Sequence, residues 1–538
     1  MRTFFDNLGN DSDAAGEKVE DIHPITFSEE TKELDEGAAS TIPAGQQMKS
    51  MQKHASQSSQ TEGYLSLVRS FIKNISIYAI ASFLIPLSGL ILVPFLTHSL
   101  SSHDYGAFVV LSTVLDLIGG ITQLGLVAAF IRACGYDYES ESDQRSVIST
   151  VVTILLLTSL PTAMIMLTAA PWLAQLLFNE PSLSGAVRIV AFLLLLKNLV
   201  VPGYTWLRIE NRAVSYTIIS TLALLVNLGA TIVLVGILHR GIAGALIAIG
   251  CSNACIFICT SFDFLRRINL RFRFDIARSL LFFGLPLVPN YVSLWIMQLA
   301  DRFLLSHLAS LSEAGRYNVA YVLGGILGVV VLSPFLMIWP TAQYTIAKRD
   351  DAAHVFRIMF RWYSLFLLFA TGGLLLASTA VLYFMFPPSY FSAAPVMPIV
   401  AVSIVFYGLY WMLTVGASLE RKNWILLLIS VVSALLNVGA NFVLIPRYGS
   451  MGAAVSTLIA YAVLALVTYV MNQRIHPLPL EVGRFGIALC IGTAFYIGCR
   501  VLTAGLGIHT TYVVYSCAFV LFSACLIGIG MFRTRGRT

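Results

Sequence analysis

The sequence predicts an all-α, polytopic membrane protein of about 14 transmembrane helices. They form two six-helix halves of the same orientation, with two further helices at the C-terminal end. Composition is the first observation. Hydrophobic residues make up 57% of the 538 and charged residues only 12%, with a mean hydropathy of +0.79. A soluble chain keeps about a quarter of its residues charged, so most of this surface does not face water. Run length is the second. Apolar stretches of about 18 residues or more, each able to span the hydrocarbon as a helix, recur along nearly the whole chain. The every-second-residue alternation of a membrane β-barrel is absent. Repetition is the third. "NLGATIVLVGILHRGIAGA" (227–245) matches "NVGANFVLIPRYGSMGAA" (437–454) an even number of spans later. Such a parallel repeat is the mark of transporters whose halves rock against each other.

Residues 1–68 stand apart as a tail without an apolar run. The first 62 carry 12 acids against 5 bases, which reads as a disordered acidic segment. It lacks the apolar core of a signal peptide, and Met48 and Met51 are further candidate starts. The first half, 69–272, holds spans at 75–97, 105–131, 147–170, 186–207, 214–238 and 241–262. The second half, 273–477, holds 279–305, 316–339, 358–385, 395–417, 423–445 and 450–472; Pro286 and Pro289 interrupt its first span. Residues 478–538 add 485–506 and 510–531 and end in a basic tail.

Lys and Arg set the orientation, because positive charge stays on the cytoplasmic side. With the N-terminus inside, 22 flanking bases are cytoplasmic and five (Arg188, Arg240, Arg302, Arg316, Arg447) are outside. Both termini are therefore expected in the cytoplasm. The outer loops, at most about 15 residues long, leave no room for a soluble catalytic domain, so an enzyme is not expected. No resident metal or cofactor is expected either. Cys251, Cys255 and Cys259 share a helix face, but no His or carboxylate completes a ligand set, and they read as packing residues. "RRINLRFRF" (266–274) joins the halves. Its arginines alternate with apolar residues, as in a segment lying on anionic lipid rather than on nucleic acid.

The few charges deep in the spans are the candidate functional residues, since a central charge costs about 2.5–3.5 kcal/mol and needs a partner or water. Asp116 is near the centre of span 2, with Gly120 and Gln123 on its face; Lys197 is near the centre of span 4. The residues leave two readings open. One is a structural Asp116–Lys197 pair. In the other, Lys197 meets a phosphate or sugar while Asp116 carries a coupling H+ or Na+. Span 7 carries Pro286, Asn290, Ser293, Met297 and Asp301 at three- or four-residue steps, a polar stripe that lines a cavity or marks a packing kink. Asn318 and Tyr321 share a face of span 8. Asp301–Arg302 reads as a pair or gate at the outer end of span 7. Arg132, Arg208 and Arg212 at cytoplasmic helix ends are explained by snorkelling, with contact to an entering anionic ligand as the alternative. Arg500 in span 13 reads as locally paired or as the rim of a lipid groove.

Two turns carry a resemblance. "LSSHDYGAF" (100–108) resembles the Leu-Ser/Thr-x-x-Asp/Glu-Tyr-Gly-x-Phe turn of the polysaccharide transporter (Wzx-type flippase) family. "DRFLLSHLASLSEAGRYNVAY" (301–321) resembles its second-half counterpart, an Asp-Arg/Lys followed by Gly-x-Tyr-x-x-Ala-Tyr. That family belongs to the multidrug/oligosaccharidyl-lipid/polysaccharide exporter superfamily. The resemblance, over about residues 70–475, implies two six-helix lobes around a central cavity. It implies that undecaprenyl-pyrophosphate-linked oligosaccharide is flipped across the bacterial cytoplasmic (inner) membrane for exopolysaccharide, capsule or O-antigen synthesis. A polysaccharide polymerase and chain-length proteins would be partners. Many relatives stop at 12 spans, whereas lipid II flippases of the superfamily also have 14. Two alternatives remain: a cation-coupled multidrug exporter of the same superfamily, against which Lys197 speaks, and a membrane-embedded glycan polymerase or ligase, which would need a large outer loop.

Overall fold

The computed structural model describes residues 89–138, 140–210, 212–265, 272–420, 422–503 and 508–531, all within one compact unit, Arg69–Thr538. The acidic tail, the start of span 1 and the linker arginines at 266, 267 and 271 lie outside the described residues. The first half comprises α1 (Gly89–Ser99), α2 (Ser102–Thr122), α3 (Leu126–Arg132), α4 (Glu141–Thr168), α5 (Ala170–Phe178), α6 (Ser184–Ile209), α7 (Ala213–Thr231) and α8 (Gly241–Leu265). The second comprises α9 (Phe274–Gly284), α10 (Val288–Leu308), α11 (Leu311–Gly324), α12 (Ser333–Ala347), α13 (Ala352–Met385), α14 (Met397–Leu413), α15 (Val415–Leu419) and α16 (Asn423–Ile475). Then follow α17 (Val482–Leu502) and α18 (Ile508–Met531).

Among the described residues ten helices are long and apolar enough to cross a membrane, or eleven if the bent pair Leu311–Gly324 and Gly328–Leu336 is one span. These helices do not establish the number fourteen. Only the Gly89–Ser99 part of the first span is described, and the apolar part of α18, Val513–Ile529, is shorter than a span. α16 covers two expected spans at once. A straight helix of its 53 residues would be about 80 Å long. The chain breaks it at Gly449 (φ 55°, ψ −132°), three residues after Pro446. Gly241, at the matching place in the first repeat, has φ 57°. A left-handed turn of this kind suits glycine, which has no Cβ to clash.

The two motif turns are helix caps. Ser101 accepts a hydrogen bond from the Asp104 N–H (3.0 Å), and Ser310 accepts one from the Glu313 N–H (3.1 Å). Each satisfies a backbone donor the first turn leaves open, and the acid in that turn faces the positive end of the helix dipole. These caps start α2 and α11, which pack against each other across the two halves. Large apolar side chains such as Ile165, Phe192, Ile258 and Phe384 remain exposed, which suits a protein surrounded by lipid.

The additional helices α17 and α18 dock on α13. Gly372 lets the Phe519 ring approach. At one end Arg361 donates two hydrogen bonds to Glu481, at 2.6 and 2.5 Å, and Arg484 adds a 3.0 Å ion pair. Burial pushes the Glu481 carboxyl up, but Arg361, with Arg484 and Arg357 nearby, outweighs burial and holds it below its ordinary value. The stability this gives is present above the ordinary glutamate pKa and is lost as pH falls through the depressed one. Glu481→Gln should therefore cost on the order of 2 kcal/mol at pH 7, between the exposed and buried ion-pair limits. Thermal unfolding in detergent should show a lower midpoint, and the gap to the parent protein should narrow below about pH 4.

Candidate functional site

Asp116 and Lys197 meet. The Lys197 ammonium donates to Asp116 Oδ1 at 2.5 Å, joining α2 to α6. Gly119 makes room for the lysine stem, whose Cδ lies 3.3 Å from where a Cβ would stand. The pair is not sealed in protein: the Asp116 side chain is 51% exposed and that of Lys197 28%. About two turns further along α2, the Gln123 amide donates to Asn198 Oδ1 (3.2 Å), and Asn198 donates to the Thr122 hydroxyl (2.9 Å). The second half reaches the same place, where the Tyr291 hydroxyl donates to the backbone carbonyl of Asp116 (2.7 Å).

A second polar centre lies inside the second half. Asp301 is fully buried and accepts from Tyr317 Oη (2.7 Å), Thr457 Oγ1 (2.6 Å) and Asn441 Nδ2 (2.7 Å). Asn441 also donates to Asn437 Oδ1 at 3.2 Å. Arg302, 2% exposed, turns the other way. It donates to the Gln298 carbonyl and, at 3.3 Å, to Asn318 Oδ1, and lies over the Tyr321 ring at 4.0 Å. Asp301 and Arg302 share only Tyr317, whose hydroxyl bonds Asp301 and whose ring lies 5.4 Å from the guanidinium, and among the described residues they are not a simple ion pair. Of the two readings of the polar stripe on span 7, packing describes three of its residues. Ser293, Met297 and Asp301 are buried; Ser293 donates to the Pro289 carbonyl, and Tyr461 of α16 bonds the Met297 carbonyl. That face is interior because α16 supplies partners for it. Asn290, at the start of α10, is half-buried.

The halves touch at both ends of α2. At the Ser101 end, a Cβ on Gly106 would overlap the Leu311 carbonyl. Ser102 donates to Ser312 Oγ at 3.3 Å, Asn318 donates to Tyr105 Oη at 2.8 Å, and a His307 ring nitrogen meets the Leu176 carbonyl at 2.6 Å. At the other end, α2 breaks at Leu124 (φ 49°) and Gly125 (φ 70°), where the backbone lies against Gly284. Just beyond, Arg132 lies over the Phe283 ring at 4.8 Å and pairs with Asp137 at 3.5 Å. It borders a cavity of about 430 Å³ with Ser279, Phe282 and Pro286. Arg212 pairs with Glu210 at 2.9 Å, and Arg208 is exposed at the end of α6.

Sequence reasoning missed Asn198, Tyr291, Asn437, Asn441 and Thr457. Asn198 adjoins Lys197, and Asn437 and Asn441 lie in the repeat "NVGAN", so the signal existed for three of the five. Tyr291 and Thr457 are ordinary residues until the helices pack.

Residues 95–334, which contain both motif turns, match the family model described as "Polysaccharide biosynthesis protein". The match spans 240 residues (334 − 95 + 1) of the 538, so this part of the chain is similar to that family. No curated protein matches by sequence. Among solved structures this chain resembles the lipid II flippase MurJ in an inward closed conformation. That match has TM-score 0.63 and 16% identity, covering 84% of this chain and 98% of that one. It also resembles a multidrug resistance MATE family transporter of the MOP superfamily, inward-facing, with TM-score 0.58 and 14% identity, covering 74% and 97%. A mutant MATE transporter of Vibrio cholerae matches with TM-score 0.53 and 15% identity, covering 76% and 97%. At these identities the likeness is one of fold.

Gly106→Val should wedge the Ser101-end seam apart while leaving α2 helical. Cysteine labelling at position 312 (Ser312→Cys) should rise in that variant, because the side chain no longer packs against the other half.

Proposed function

We propose that this chain flips a polyprenyl-pyrophosphate-linked oligosaccharide, of the undecaprenyl type, across the bacterial cytoplasmic membrane by cation-coupled alternating access. The carrying observation is the half-exposed Asp116–Lys197 pair, in the middle of membrane helices and touched by Tyr291 of the other half. Hydrocarbon does not tolerate such a pair unless it faces water or protein. A pathway between the halves supplies both. Lys197 then offers an ammonium to the phosphates of the head group, and Asp116 holds that charge when the substrate is away.

Two further features support the reading. Beside the additional helices, a groove of about 310 Å³ lined by Leu375, Val402, Leu489 and Phe519 suits an apolar lipid chain. The Asp301 centre suits a coupling cation. Asn437 Nδ2 and Asn441 Oδ1 are buried without partners among the described residues. A half-turn of the Asn441 amide, whose two ends are assigned from hydrogen bonding alone, would bring its oxygen beside those of Asp301, Asn437 and Thr457. Such a set of oxygens fits Na+, and the same carboxylate can carry H+. The Ser101 end faces outward and both termini inward, as the basic residues predict. A polymerase and chain-length proteins are the partners this activity calls for.

Lys197→Ala should reduce glycan export about a hundredfold, the scale of losing one member of a charge pair at a binding site, while the protein still reaches the membrane. Export measured in cells lacking the wild-type chain tests this, and full export would remove Lys197 from the site. In vesicles, Asp301→Asn should abolish the acceleration of flipping by an imposed Na+ or pH gradient. An unchanged gradient response would exclude Asp301 as the coupling residue.

A further inference from the structure

Asp301 and Arg302 are consecutive, so on a helix their side chains diverge by about 100°. Asp301 points toward α16, and Arg302 toward α11. Among the described residues every partner of Arg302 is neutral: the Gln298 carbonyl, the Asn318 amide and the faces of Tyr317 and Tyr321. A buried guanidinium held only by neutral groups is costly. The nearest compensation is the buried carboxylate beside it in the chain, acting through space in a region of low dielectric.

We propose that Arg302 is the internal counter-cation of the Asp301 centre, and that Asn318 and Tyr105 relay the occupancy of that centre to the Ser101-end seam. This rests on the cation reading given under Proposed function and goes beyond it. When a cation neutralises Asp301, Arg302 loses its compensating charge and is driven toward water. Its Nε–H leaves Asn318 Oδ1. Asn318 is then no longer held in place to donate to Tyr105 Oη, the 2.8 Å bond that crosses between the halves. Tyr105 is only 1% exposed, so losing that donor leaves its hydroxyl buried and unpaired, which favours parting of the seam. The linkage is reciprocal: a closed seam fixes Arg302 beside Asp301 and weakens cation binding. Arg302, Asn318 and Tyr105 are thus positioning residues that couple cation to gate without touching the cation.

The test uses the full chain in liposomes with Ser102→Cys and Ser312→Cys as a reporter, since the two hydroxyls lie 3.3 Å apart across the seam. Oxidative cross-linking reports seam closure. The thermal midpoint reports cation binding, with Na+ at fixed pH in one arm and pH steps without Na+ in the other. In the reporter protein a cation should raise the midpoint and slow cross-linking about tenfold, a usual coupling magnitude. Tyr105→Phe should keep the midpoint response and lose the cross-linking response. Asn318→Ala, which removes the same link together with the Arg302 acceptor, should likewise lose the cross-linking response. Arg302→Gln should raise the midpoint at lower Na+ concentration or higher pH. Cross-linking in Tyr105→Phe and Asn318→Ala that responds as fully as in the reporter protein would overturn the relay while leaving the cation site standing. A reporter protein whose midpoint ignores both Na+ and pH, just as Asp301→Asn does, would overturn the cation reading and the relay with it.

Discussion

A charge inside a membrane helix must find a partner or water, and in this chain that constraint decides which helices are joined. Lys197 reaches Asp116 and ties α6 to α2. Asp301 collects donors from α11, the next helix, and from both arms of α16, 140 and 156 positions away. Glu481 holds α17 to α13 through Arg361. Apolar packing among lipid-embedded helices is poorly directional, because lipid tails are as apolar as leucine. The polar contacts supply the direction.

The two halves repeat their backbone but not their chemistry. Ser101 and Ser310 cap α2 and α11 in the same way, and Gly241 and Gly449 make the same left-handed turn. Asn227 and Thr231 stand in the repeat where Asn437 and Asn441 stand in its second copy. Yet the caps are 209 residues apart, and the position matching Asp301 is Leu92. The first half therefore lacks the buried carboxylate. Its charges lie instead at Asp116 and Lys197, and they are half-exposed where the second half's are sealed. The duplicated scaffold thus carries a part-exposed charge pair in one half and a buried, hydrogen-bonded carboxylate in the other.

Composition and run length were enough to read the all-helical membrane fold, because the hydrocarbon thickness fixes a minimum length for each crossing. The Asp116–Lys197 contact was legible too, since two isolated opposite charges at mid-span have few other ways to be satisfied. The buried role of the α10 stripe was not. A polar face looks alike from sequence whether water or another helix meets it, and the deciding residues, Asn437, Asn441 and Thr457, lie about 140–156 positions away.

The seams at the two ends of α2 are where alternating access would act, and the one at Ser101 can be locked chemically. In proteoliposomes containing the lipid-linked oligosaccharide, the Ser102→Cys/Ser312→Cys protein should flip substrate when reduced, stop when the disulfide is formed, and recover on reduction. Undiminished flipping by the fully cross-linked protein would contradict a pathway gated by the parting of the halves.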